Sequence, residues 1–115
     1  MGHWDDWIRE THPQPESEDV PDSTLISIAF RKEMNRLTLN MRNILVLDGN
    51  NGGRLISDRF LYRYETERRT LLIYRKDESE TLGPRNSIEI ILTGRIADNR
   101  NAKMNIPFHF NFKTR

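Results

Sequence analysis

The sequence predicts one mainly β domain, an antiparallel β-meander of about six or seven strands that closes as a barrel or stacks as a sandwich. Three observations support this fold class. Apolar and polar residues alternate along several short segments, turn-forming residues separate those segments, and a length of 115 residues suits one core. With 36% hydrophobic and 30% charged residues, that core is expected to be thin.

The first 23 residues differ in composition from the rest of the chain. They contain seven acidic residues against a single arginine, whereas the remainder carries 17 basic against 10 acidic residues. Residues 9–23 include three prolines and have little apolar surface to offset the entropy lost on ordering. We therefore predict a flexible acidic arm over residues 1–23 and a basic β-rich domain over residues 24–115.

Three strands are predicted in the first half of the domain. Residues 24–30 and 36–41 alternate between apolar and polar or small side chains, and residues 43–48 form a short branched run. A turn is predicted at Asn51–Gly52, because both residues tolerate a positive φ.

A competing interpretation places one helix within residues 30–47. Apolar residues also recur there at spacings of four and three, as on one face of a helix. They are Phe30, Met34, Leu37, Met41 and Ile44. Strands are preferred because Thr38 and Val46 favour extended structure, and the helix stays an alternative.

Four further strands are predicted in the second half, over residues 58–64, 70–75, 87–96 and 103–113. The last has the most regular alternation of all, with five apolar residues at every second position. They are Met104, Ile106, Phe108, Phe110 and Phe112. Pro107 lacks a backbone donor, which predicts that this strand is an edge strand or contains a bulge.

The residue types that carry catalysis or metal binding do not form a pattern here. Cysteine is absent, which excludes disulfides and thiolate sites, and the histidines His3, His12 and His109 are scattered. His109 is expected to point outward from its strand. Neither a nucleophile elbow nor a phosphate-binding loop is present in the sequence. We predict a protein that is not an enzyme, with no cofactor, metal or small-molecule substrate.

The sequence also contains no apolar run of about 20 residues and no secretory signal pattern. It has no Asn-x-Ser/Thr glycosylation sequence either. These observations predict a cytoplasmic or nuclear location without a membrane span.

The favoured function is a non-catalytic protein-interaction or assembly module whose partner is another protein or a second copy. Both tryptophans lie at the start of the chain, where one helical turn would put Trp4, Trp7 and Ile8 on one side. The predicted partner-binding residues are Trp4, Asp5, Asp6, Trp7 and Ile8. In a variant of this hypothesis, the acidic arm lies across the basic body of its own chain or of a neighbouring chain.

The alternative function is binding of single-stranded nucleic acid by the β-domain. Arginine and lysine contact phosphate, and neighbouring tyrosines could stack on bases. The candidate residues for this function are Arg59, Arg63, Arg68, Arg69, Arg75 and Lys76.

Overall fold

The computed structural model describes residues 6–115, in which two β-sheets pack face to face. The predictions for His3, Trp4 and Asp5 lie outside the described residues. The strands of the described part are β1 (Ile8–His12), β2 (Ser17–Val20), β3 (Ile26–Phe30), β4 (Ile44–Asp48), β5 (Arg54–Leu55), β6 (Phe60–Glu65), β7 (Thr70–Arg75), β8 (Ser87–Leu92) and β9 (Phe108–Thr114). The mainly β prediction is confirmed, with nine strands in this part of the chain.

The four-stranded sheet has the order β1-β3-β7-β6 and is antiparallel throughout. The five-stranded sheet has the order β2-β9-β8-β4-β5 and is antiparallel except for the parallel pair β2–β9. Several neighbours are far apart in sequence, such as β3 and β7, so the connectivity is more complex than a meander. It is the strand order of an immunoglobulin-like sandwich.

The hydrophobic core lies between the two sheets. Each long strand contributes every second residue to it, as in β9, where burial alternates from Phe108 to Thr114. The neighbouring strand β8 adds Ile88, Ile90 and Leu92, which are fully buried. The intervening residues form the outer faces of the two sheets.

The acidic N-terminal segment differs from the predicted flexible arm. Residues 8–12 form β1 against β3, and residues 17–20 form β2 against β9, so the segment contributes an edge strand to each sheet. An edge strand needs few inward apolar residues, and Ile8 and Val20, at 3% and 8% exposure, supply them here. Thr11 and Pro13 are also buried, but most other side chains of residues 9–20 lie in solvent, which explains why the composition suggested disorder.

The predicted strand over residues 36–41 and the alternative helix within 30–47 are both absent from the described residues. A single 3-10 turn, Arg36–Thr38, stands in this loop. The Asn35 side chain accepts a hydrogen bond from the Leu37 amide, and the Asn40 side chain accepts one from the Arg42 amide. Such local side-chain bonds compete with both helix and sheet.

The last strand is shorter than predicted and is not an edge strand. It begins at Phe108, between β2 and β8, and Pro107 lies immediately before it. Asn105 has a positive φ of 64°, which interrupts the extended chain although Met104 is buried like the strand residues. Among the described residues, no helix is long and apolar enough to cross a membrane.

Candidate interaction surfaces

Trp7 and Ile8 are core residues of their own chain. Trp7 is 4% exposed, its carbonyl accepts a hydrogen bond from the Arg31 amide, and Lys32 Nζ lies 4.0 Å from its ring centroid. Of the predicted partner-binding residues that the structure describes, only Asp6 is exposed. The packing of residues 7–20 therefore corresponds to the variant in which the acidic segment lies across its own chain.

The six cations proposed for nucleic acid do not form one cluster. Arg59 and Lys76 lie at one end of the β6–β7 hairpin, joined by a backbone hydrogen bond of 3.0 Å, and Arg75 is beside them. Arg68 and Arg69 lie at the other end, about 17 Å away along strands of this length. Arg63 projects from the middle of β6.

Several of these cations also have structural partners. The Arg75 guanidinium donates to the Ser23 and Thr24 carbonyls, and Arg69 donates to the Arg31 carbonyl at 2.9 Å. Arg68 forms an exposed ion pair with Glu65. These contacts hold loops against the sandwich. Arg75 is half-buried, and the other five cations of the predicted set are exposed.

The tyrosines of β6 face the core side of the sheet, as their alternation predicts. The Tyr62 hydroxyl donates to the Ser57 carbonyl at 2.7 Å, and the Tyr64 hydroxyl donates to Glu33 and accepts from the Met34 amide. Burial raises the pKa of Tyr62 to about 12 and also raises the pKa of Tyr64. Both hydroxyls therefore stay protonated at neutral pH, and both rings are fixed.

The outer face of the five-stranded sheet carries four aliphatic side chains on adjacent strands, which we call the aliphatic face. Leu45 is opposite Ile91, and Leu47 is opposite Leu55. Leu55 is 53% exposed and the other three are half-buried. Beside them, His109 Nδ1 lies 3.4 Å from a Glu89 carboxylate oxygen, a contact that is an ion pair only when His109 is protonated.

The outer face of the four-stranded sheet is more strongly charged. Leu61 and Tyr74 are opposite each other near one end, with Leu25 close by. Toward the other end, a groove is lined by several cations and carboxylates. They are Arg9, Arg31, Arg68, Arg69, Glu10, Glu65 and Glu67. This face combines apolar and ionic groups.

The loops 31–43 and 93–107 meet at one end of the sandwich. Asn35 donates to Asn101, and the Arg95 guanidinium donates to the Asn43 side chain and the Arg42 carbonyl. Together the two loops contain seven basic and two acidic residues. Leu37 is 78% exposed there and Met41 is 47% exposed, so apolar side chains stand among cations.

A buried polar network closes the opposite end. The Asn86 side chain donates to Asp48 at 2.7 Å and to the Leu82 carbonyl at 2.7 Å, and the Asn51 side chain donates to Asp48. Burial acts to raise the pKa of Asp48, but these amide hydrogen bonds, with the charge of Arg59, outweigh it and lower that pKa. The network stabilises the turn after β4 against the loop before β8.

The described residues contain no group of three or more histidine, aspartate or glutamate side chains that could hold a metal ion. His12 and His109 are both exposed, and His109 points outward from β9 as the alternation predicts. The prediction that the chain is not an enzyme stays a prediction.

The sequence analysis did not predict the aliphatic face, although a pattern that indicates it is present in the sequence. The segments Ile44–Leu47 and Ile88–Leu92 are apolar at both inward and outward positions, except Glu89. Such runs are typical of strands buried on both faces. Here one face is covered by the other sheet, and the second is open to solvent.

No protein-family model matches the chain, and no curated protein sequence matches it. Solved structures resemble its fold at low identity. A region of the surface layer protein SbsC, in a structure of its domains 1–6, matches with 13% identity and a TM-score of 0.63, covering 92% of this chain and 13% of that one.

Two further structures share the fold. An L,D-transpeptidase from Mycobacterium smegmatis matches with 10% identity and a TM-score of 0.60, over 93% of this chain and 38% of the other. CopC from Methylosinus trichosporium OB3b matches with 8% identity and a TM-score of 0.60, over 94% of this chain and 91% of the other. At such identities the likeness establishes the fold alone.

Proposed function

We propose that this chain is a non-catalytic assembly module that associates with a second copy through its aliphatic face. The observation that carries the proposal is the pairing of Leu45 with Ile91 and of Leu47 with Leu55 on the solvent side of the five-stranded sheet. Removing such apolar surface from water favours association, at about 25 cal/mol per Å² before the costs of binding.

The charges around the aliphatic face favour a second copy over a charged partner. The outward Glu89 of β8 and Lys113 of β9 have opposite charges on neighbouring strands, so two copies can approach without strong like-charge repulsion. The outer face of the four-stranded sheet is more strongly charged, since a groove there is lined by four arginines and three glutamates. The fold likeness to part of a surface-layer protein supports a role in assembly, because a layer is built from repeated protein contacts.

The test compares two double variants of the full chain by sedimentation velocity. Leu55→Lys/Ile91→Lys places charges on the aliphatic face, and we expect it to stay monomeric. Leu25→Lys/Leu61→Lys makes the same chemical change on the other sheet, at residues 45% and 42% exposed, and should associate like the unchanged protein.

The concentration series extends to about 1 mM, where a contact of about −4 kcal/mol becomes half occupied. A protein that sediments as a monomer throughout would overturn the proposal, as would an equal effect of both double variants. Circular dichroism checks that each variant is folded.

The alternative of single-stranded nucleic-acid binding stays a prediction. Its six residues are divided between the two ends of one hairpin, with Arg63 between them. Retention of RNA or DNA on a filter at about 50 mM salt, with loss of retention as salt rises, is the result that would support it.

A further inference from the structure

The strand β6 has one edge open. It pairs with β7 and, among the described strands, with no other. The Lys76 amide donates a hydrogen bond to the Arg59 carbonyl, and in an antiparallel ladder only every second residue bonds to the same neighbour. The backbone groups of residues 61, 63 and 65 therefore form hydrogen bonds with β7. The backbone amides and carbonyls of Tyr62 and Tyr64 therefore point to the open edge. They are spaced as a further strand requires.

A depression of about 580 Å³ lies beside this open edge. Its lining combines tyrosine rings, leucines and two arginines, and among the described residues that form it none is acidic. These residues are Arg36, Leu37, Leu39, Tyr62, Arg63, Tyr64 and Tyr74. Within the described part of the chain, neither Arg36 nor Arg63 lies within ion-pair distance of a carboxylate. The depression therefore offers apolar contact beside two arginines that form no ion pair within the described part of the chain.

The walls of the depression are held in place before any ligand arrives. The hydroxyls of Tyr62 and Tyr64 are bonded to Ser57, Glu33 and the Met34 amide, and Asn35 caps the turn that carries Arg36 and Leu37. Little side-chain entropy remains to be lost on binding at these tyrosines. The edge of β6 is therefore ordered before a further strand binds to it.

We propose that β6 accepts an extended acidic segment of a partner protein, which adds as a fifth strand to the four-stranded sheet. Its backbone pairs with the free groups of Tyr62 and Tyr64, and its carboxylates lie over Arg36 and Arg63. Alternate apolar side chains contact Leu37 and the tyrosine rings. This surface is separate from the aliphatic face and lies on the other sheet.

A peptide fits the edge better than a nucleic acid does. Strand addition uses backbone donors and acceptors in alternation, which a peptide supplies and a sugar–phosphate chain does not. The rings of Tyr62 and Tyr64 are half-buried with their hydroxyls already bonded, so they do not offer open faces for base stacking.

The experiment uses the full chain and a short fluorescent peptide in which glutamate and valine alternate. We expect binding by fluorescence anisotropy, together with slower hydrogen exchange of the Tyr62 and Tyr64 amides. The same peptide with N-methylated backbone nitrogens should bind much more weakly, because it cannot donate to β6. A peptide of alternating lysine and valine should not bind.

The matched variants separate this site from general charge. Arg36→Ser/Arg63→Ser should lower the affinity for the acidic peptide by roughly five- to tenfold, the range of two exposed charge contacts. Arg59→Ser also removes an exposed arginine, next to β6 but outside the depression, and should leave the affinity within about twofold.

The proposal is wrong if the N-methylated peptide binds as well as the parent peptide, or if Arg59→Ser and the double variant have equal effects. It is also wrong if a single-stranded oligothymidylate displaces the peptide and binds more tightly. Self-association measured on the same variants stays a separate result, because Leu55 and Ile91 are unchanged in them.

Discussion

The indole of Trp7 fixes the start of the first strand to the sandwich. It is 4% exposed and sits beneath Lys32, whose ammonium lies over the ring at 4.0 Å. A cation over an aromatic face adds roughly 0.5–2 kcal/mol to the burial of the ring. The position of a tryptophan near a terminus therefore gives little information about whether it is free.

Trp7→Ala should destabilise the domain by about 3–5 kcal/mol, the usual cost of removing a buried aromatic side chain. Urea unfolding followed by circular dichroism measures this change. Leu37→Ala, at a side chain 78% exposed, is the control and should stay within about 0.5 kcal/mol of the parent protein. Similar small effects of both variants would contradict the core position of Trp7.

Asp48 makes the stability depend on pH at the acid end of the range. Its pKa is lowered in the folded protein, so its hydrogen bonds contribute fully above the unfolded pKa near 3.8 and are lost as the pH falls below that value. Asp48→Asn should cost roughly 1–3 kcal/mol at neutral pH, because its NH2 group replaces one acceptor oxygen and leaves either Asn86 or Asn51 without an acceptor. The loss should shrink toward pH 3.

Unfolding free energies measured across this pH range provide the check. Asp58→Asn is the control, since Asp58 is exposed and the buried network does not include it. A pH dependence for Asp48→Asn as steep as that of the parent protein would argue against the role assigned to Asp48.

At the scale of elements, sequence periodicity predicts strands where every second residue is buried by the opposite sheet. The strands β3, β4, β7 and β8 lie within predicted segments, and β6 extends one residue, Glu65, beyond its predicted segment. The failures have one local cause and one long-range cause. Asparagine side chains hold residues 35–43 in a loop, and β1 and β2 obtain their order from neighbours far away in sequence, which a local pattern cannot reveal.

The turn between β4 and β5 contains three glycines, and two of them, Gly49 and Gly52, have different constraints. A Cβ on Gly49 would lie 2.5 Å from the Ser87 carbonyl oxygen. A Cβ on Gly52 would contact nothing within 4 Å, but the backbone there has a φ of +70°, which disfavours any side chain. Gly52→Ala should cost about 1–2 kcal/mol from backbone strain alone. Gly49→Ala should cost more, because the backbone of β8 must move. Thermal unfolding of the two variants measures this order, and the reverse order would contradict it.

At the scale of the whole molecule, the acidic segment is a structural part of the domain. The first strand belongs to one sheet and the second to the other, so residues 8–20 cover an edge on both sides of the core. The binding surfaces could not be located from composition, since the aliphatic face and the β6 edge arise only when distant strands pair. The sequence identifies the six cations predicted to bind nucleic acid, but it does not reveal that they lie at different ends of the β6–β7 hairpin.

Deleting residues 1–23 should therefore abolish the cooperative thermal transition instead of leaving an intact basic domain. The deletion exposes the edges of β3 and β9 and removes Trp7, Ile8 and Val20 from the core. Glu18→Gln/Asp19→Asn is the matched control, because it removes charge from β2 while keeping the strand. A truncated protein that melts as the full chain does would contradict this role.

The parallel pairing of β2 with β9 gives the domain a direction of mechanical resistance. The Glu16 amide bonds to the Asn111 carbonyl at 2.6 Å, and the Arg115 amide bonds to the Val20 carbonyl at 2.8 Å. Tension that pulls β2 from its N-terminal end and β9 from its C-terminal end slides the two strands along each other. Their hydrogen bonds are then loaded in shear and must break together. A pull across the sheet would instead open them one at a time.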